Sequence, residues 1–199
     1  MESRVKLAGH PVHQMLIVFP LGLLATAVVF DVIFLVTDNP IWTQAAFYMI
    51  GAGVAVGLVA AVPGTLDWLG IPRGTRAKRI GLIHGVGNVI VVALFALSWL
   101  MRQDNPASPP TEAVVAALLG AGLAIVTGWL GGELVGRLGV GVDDGAHLDA
   151  PSSLTGMPAA AASGSQFRAG LSHGFTGRER RHFPQPAYAG VERRQQSPA

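Results

Sequence analysis

Four long apolar stretches dominate the pattern of hydrophobic and polar positions along the chain. They run from about residue 11 to 36, from 42 to 66, from 80 to 101 and from 113 to 135. Each is long enough for an α-helix to cross about 30 Å of hydrocarbon, which takes roughly 20 residues. None alternates polar and apolar residues as a membrane barrel strand does. The pattern therefore predicts an all-α protein, a bundle of four transmembrane helices.

The segments outside these stretches differ in length and composition. The links between spans are short and rich in turn-forming residues, whereas the segment after the fourth span is long. Beyond about residue 142 it is dominated by Gly, Pro, Ser and Ala, with too little apolar content to offset the entropy lost on ordering. We therefore predict a membrane domain over residues 1–142 and a disordered tail over residues 143–199.

The distribution of charge predicts the orientation. One side of the predicted bundle carries seven basic residues, and the other carries only Arg102, beside three acidic residues. The seven are Arg4, Lys6, Arg73, Arg76, Lys78, Arg79 and Arg137. Because basic residues are enriched in cytoplasmic loops, both termini and the link between the second and third spans are expected in the cytoplasm.

Composition excludes several classes of function. Of the 199 residues, 50% are hydrophobic and only 13% are charged, against about 25% charged in soluble domains. The net charge of +2 is too small to predict nucleic-acid binding. The chain has no cysteine, which excludes disulfides and thiolate ligands from this chain. No phosphate loop, nucleophile elbow or zinc-protease motif is present, so a stand-alone enzyme is not predicted.

Small residues indicate how the helices pack. The fourth span carries Gly120, Ala124, Gly128 and Gly132 at a spacing of one turn, which is typical of a close helix–helix contact. A weak internal repeat, Trp-Leu-Gly at residues 68–70 and again at 129–131, suggests two parallel helical hairpins related by an axis along the membrane normal.

Ionisable side chains gather at one predicted depth. In the predicted topology, five of them belong to the cytoplasmic leaflet: His10, His13, Asp67, His84 and Glu133. Asn88 follows His84 by one helical turn, whereas Asp31 stands apart near the other end of the first span. Ionisable residues inside membrane segments are costly and by default indicate function. We therefore treat this cluster as the candidate site.

Several motifs resemble those of one family of bacterial membrane proteins, domain of unknown function 2231. They are Gly-His-Pro-Val-His-Gln-Met-Leu at residues 9–16, Phe-Pro-Leu-Gly-Leu at 19–23, His84 with Asn88, and two Gly-rich stretches at 128–135 and 139–142. The resemblance covers about residues 8 to 142. It implies a four-helix protein of the bacterial inner membrane and leaves the activity open.

The leading hypothesis is a b-type haem-binding subunit that transfers electrons to a redox partner. Bis-imidazole ligation needs two histidines at one depth and room for a flat macrocycle. His13 and His84 are the candidate ligands, Asn88 extends the polar face, and Gly81 with Gly85 would provide the room.

Two other classes remain open. A small metal-binding or ion-transporting membrane protein would use His10, His13, Asp67 and Glu133 as a cation site. A structural accessory subunit would instead pack its helices against other membrane subunits. Mutations in the glycine stripes would then have larger effects than mutations of the histidines.

Overall fold

The structure, a computed structural model, describes residues 1–161 and contains four helical regions of membrane-spanning length. The first consists of α1 (Val12–Leu16) and α2 (Val18–Thr37), separated only at Ile17. The others are α3 (Pro40–Gly70), α4 (Arg76–Met101) and α5 (Thr111–Gly136). All four are long and apolar enough to cross a membrane, which confirms the predicted fold class.

Local chemistry sets the helix boundaries. Pro20 has no N–H to donate to the carbonyl of Leu16, and the first span is divided at Ile17. Pro40 occupies the first turn of α3, where Asn39 accepts a hydrogen bond from the Ile41 N–H at 3.1 Å. Thr75 caps α4 in the same way, through the Lys78 N–H at 3.1 Å.

The four spans pack as two helical hairpins. The first span packs along α3, and α4 packs along α5. The hairpins meet where α3 contacts α4 and where α2 contacts α5, so the spans follow one another around the bundle. The core between them is built from Leu24, Ala27, Ala46, Ile50, Val91, Phe95 and Ala117.

The two hairpins have equivalent buried positions and form a structural repeat. Buried Leu24 of the first span corresponds to buried Phe95 of α4, and each lies against the glycine of its own hairpin partner, Gly53 or Gly120. Equivalent positions are 71 residues apart in sequence between the first and third spans, and 67 residues apart between the second and fourth. With these spacings the buried and exposed positions of the hairpins largely coincide. The pattern indicates an approximate two-fold axis along the bundle.

The equivalent positions in the structure differ from those of the predicted repeat, which paired the two Trp-Leu-Gly segments. Trp68 is packed against Gly81 and beneath the Lys78 ammonium, which lies 3.9 Å from the ring centroid. Trp129 is instead 66% exposed on the outside of α5. The Trp-Leu-Gly segments are therefore not equivalent, although the predicted pair of parallel hairpins is present.

A compact segment closes the end of the bundle that carries the seven basic residues, which we call the basic end. Two-residue strands β1 (Lys6–Leu7) and β2 (His10–Pro11) pair antiparallel. Their turn, Ala8-Gly9, has positive φ at both residues, as tight hairpin turns require.

Part of the predicted disordered tail lies against this segment. Lys6 pairs with Asp143 at 2.5 Å, and Ser153 donates to the Ala8 carbonyl at 3.0 Å. Asp143 and Ser153, which the sequence assigned to the tail, therefore contact the N-terminal segment, and the boundary at residue 142 stays a prediction. Residues 162–199 lie outside the described residues.

Candidate functional site

His13 is oriented by the second span. Its Nδ1 lies 2.8 Å from the carbonyl oxygen of Ala60, and its ring rests on Gly64, where an added Cβ would lie 2.7 Å from Nδ1. A carbonyl oxygen only accepts hydrogen bonds, so Nδ1 carries the proton. When the ring is neutral, Nε2 is therefore an acceptor.

His84 is oriented in the same way by the fourth span. Its Nδ1 lies 2.8 Å from the carbonyl oxygen of Thr127, and its ring lies against Gly131, one turn further along α5. The same reasoning assigns the proton to Nδ1 and leaves Nε2 as an acceptor. Both histidines thus have the same tautomer for the same physical reason.

The two histidines occupy equivalent positions of the two hairpins. His84 lies 71 residues after His13, and Thr127 and Gly131 lie 67 residues after Ala60 and Gly64. The repeat therefore places the two histidines at corresponding depths of the bundle.

Asn88 makes the two halves of the site unequal. Its Nδ2 donates to the His84 carbonyl oxygen at 2.9 Å and lies 3.1 Å from Nε2 and 3.4 Å from Nδ1 of the His84 ring. The two ring nitrogens point in different directions. Similar distances to both therefore place the amide over the face of the ring, out of line with the Nε2 lone pair.

Thr127 fixes the orientation of that amide. Its hydroxyl donates to Asn88 Oδ1 at 3.1 Å, so Nδ2 is the end of the amide that faces His84. In the first hairpin the corresponding residues are Ile17 and Ala60, neither of which has a polar side chain. The polar shell is therefore confined to His84.

The residues of the predicted cation site have separate partners. Asp67 accepts hydrogen bonds from Ser3 and from the backbone N–H of Arg4, at 2.8 and 2.6 Å. Glu133 pairs with Arg76 at 2.6 Å, and His10 is exposed beside Ser153. Residues 1–161 contain no group of three or more His, Asp or Glu side chains that could hold a metal ion.

The two glycines expected to make room for a macrocycle do not do so. At Gly81 an added Cβ would lie 2.7 Å from the indole of Trp68, so that position is already filled. Gly85 is exposed and has no neighbour within 4 Å of an added Cβ. Both glycines lie on one side of α4, about 60° and 100° around the helix from His84, so neither lies directly beneath its ring.

A second polar cluster, missed as a site by the sequence analysis, lies toward the opposite end of the bundle. Arg102 forms a bidentate ion pair with Asp31, at 2.6 and 2.7 Å, and both side chains are fully buried. Arg102 Nε also donates to Ser98 Oγ at 3.2 Å, and Ser98 donates to the Ala113 carbonyl at 2.6 Å. The available signal was charge: Asp31 is the acidic residue inside the first span, and Arg102 the lone basic residue on its side.

The ion pair joins equivalent positions of the hairpins. Asp31 and Arg102 are 71 residues apart, the same separation as His13 and His84. A residue that contacts its own counterpart must lie on the axis that relates the two halves. The ion pair therefore marks the approximate two-fold axis, and the apolar core separates it from the histidines.

Charged groups at the basic end perturb one another. Hydrogen bonds to Asp143 and then to Glu2 raise the pKa of Lys6, and the hydrogen bond from Lys6 lowers the pKa of Glu2. The contribution of Lys6 to stability is lost as pH rises through its raised pKa. That of Glu2 is lost as pH falls through its lowered pKa. This contact is therefore complete at neutral pH.

These features define a membrane protein built as a four-helix bundle, with a histidine pair toward the basic end and a buried ion pair toward the other. A match to a family described as predicted membrane proteins, domain of unknown function 2231, covers residues 9–144. The chain belongs to this family. Comparison with curated proteins gave no significant match, and comparison with solved structures gave none.

Proposed function

We propose that this protein is a b-type haem-binding subunit for electron transfer, with His13 and His84 as the axial ligands. The observation that supports the proposal most strongly is the shared tautomer. Each Nδ1 donates to a main-chain carbonyl, at 2.8 Å in both cases, and each Nε2 is left with its lone pair. Metal-ligating histidines have this arrangement, because the hydrogen bond fixes the ring and makes the ligating nitrogen more basic.

The number of candidate ligands favours haem over a bare cation. A protein site for a borderline metal ion generally needs three or four side-chain ligands, and residues 1–161 contain no such group. Two imidazoles are sufficient for haem, because the porphyrin supplies the remaining nitrogens. When bound, haem would supply a one-electron redox couple at this depth.

The proposal also makes a demand on space. Since Trp68 fills the position beside Gly81, the macrocycle cannot occupy that position. Both histidines are only partly buried, which leaves part of each ring accessible from outside the bundle. A redox partner would then be another membrane subunit or a protein at the membrane surface.

The first test is the visible spectrum. Protein produced with adequate haem supply and purified in detergent is expected to show a Soret band, and His84→Ala is expected to lose it because one axial ligand is removed. His10→Ala is the matched control, since His10 is exposed and outside the proposed ligand set. A colourless wild-type preparation with correct helical content would rule out the haem proposal.

We further propose that both termini face the cytoplasm of a bacterial cell. The seven basic residues at the basic end support this orientation. A reporter inserted at Arg76 is expected to behave as cytoplasmic, and one fused after Gln103 as periplasmic. The reverse result at either position would contradict the proposed orientation without affecting the fold.

A further inference from the structure

We propose that His84 is the permanently held ligand of the site and His13 the exchangeable one, with Asn88 and Thr127 as the positioning residues that make the difference. This inference rests on the proposed function. It starts from the two-fold repeat, which gives both histidines the same hydrogen bond to a carbonyl and the same packing glycine one turn later. Any difference in behaviour must therefore come from what the repeat does not share.

The unshared polar side chains next to the two rings belong to the second hairpin. The Asn88 amide covers one face of the His84 ring, and Thr127 fixes the direction of that amide through a 3.1 Å hydrogen bond. Thr127 is itself buried, which shields this bond from competing water. The ring of His84 is thus held by its carbonyl, by Gly131 and across one face by Asn88.

His13 lacks this restraint. In the first hairpin, Ile17 occupies the position of Asn88, and Ala60 occupies the position of Thr127. Ile17 is exposed. Rotation of the His13 ring breaks one hydrogen bond, whereas rotation of the His84 ring also displaces the Asn88–Thr127 pair. An external small neutral ligand should therefore replace His13 and not His84.

The ligand-free protein provides the first test. We would measure, by nitrogen-15 NMR in lipid nanodiscs at a pH where imidazole is neutral, how fast the Nδ1 proton of each ring exchanges with water. The proton of His84 is expected to exchange about tenfold more slowly, the factor for one additional net hydrogen bond. Asn88→Leu should remove the difference. Equal rates in the wild type, or an unchanged difference in Asn88→Leu, would overturn the inference.

The repeat also allows the restraint to be transferred. The double variant Ile17→Asn with Ala60→Thr gives His13 the partners that His84 has, and its Nδ1 proton should then exchange about as slowly as that of His84. Ile17→Leu with Ala60→Val is the matched apolar control. A double variant that folds, by circular dichroism, and behaves like this control would count against the inference.

The haem-loaded protein provides the second test. His13→Ala should retain haem and bind added imidazole with recovery of the wild-type spectrum, whereas His84→Ala should lose haem. Equal loss from both variants would overturn the assignment of roles. A colourless wild type would overturn the proposed function, and the proton-exchange comparison would still decide whether the two imidazoles differ.

Discussion

Replacement of Asp31 by Ala is expected to destabilise the folded protein by about 3–5 kcal/mol, because it leaves a buried guanidinium without its counter-charge. Arg102 is fully buried and makes both of its short ionic contacts with Asp31. Its remaining partners, Ser98 and the Ala113 carbonyl, are neutral. They satisfy donors without compensating the charge.

Thermal unfolding of the detergent-solubilised protein would measure this effect, with Asp104→Ala as the control. Asp104 is also acidic and lies just beyond the end of α4, but it is exposed. A variant Asp31→Ala that is as stable as Asp104→Ala would show that the ion pair contributes little.

The two-fold repeat allows a stricter test of the ion pair, in which the two charged residues exchange positions. Because Asp31 and Arg102 are counterparts, exchanging them places each charge in an equivalent setting. Asp31→Arg alone should prevent folding, since it would put two cations on the axis. Combined with Arg102→Asp, Ala27→Ser and Ser98→Ala, it should restore most of the stability. Failure of the exchanged variant to fold would mean that the two halves differ at this depth.

Gly120→Leu is expected to destabilise the bundle by about 1–3 kcal/mol, the usual effect of overpacking, or more because the neighbouring ring cannot move. An added Cβ at Gly120 would lie 2.9 Å from the ring of Phe95, which is itself buried in the core. Gly128→Leu is expected to have almost no effect, since nothing lies within 4 Å of an added Cβ at that position.

The same unfolding measurement compares the two variants, which differ only in position along α5. They are a matched pair because the sequence assigned Gly120 and Gly128 to one packing face. Equal destabilisation would show that the stripe is a single interface, as the sequence predicted. A large effect at Gly120 alone would support the structure, in which Thr127 and Gly131 provide the contact lower in the helix.

The sequence by itself was sufficient to predict that the membrane domain is a set of four helices. The number and approximate bounds of the spans, the turn residues between them and the family were all predicted correctly. Each of these properties depends on one segment at a time. Span length follows from the thickness of hydrocarbon to be crossed, and helix ends follow from nearby residues such as Asn39 and Thr75.

Only the tertiary structure decided which side chains meet. It paired Asp31 with Arg102, separated Gly120 from Gly128, aligned the hairpins on His13 and His84, and brought residues 143–161 onto the N-terminal segment. In a soluble protein, the apolar stripe of a helix shows which face is buried. A helix in lipid is apolar on every side, so its sequence does not reveal its rotation about its own axis. That rotation, set by packing against neighbouring helices, determines which polar groups converge.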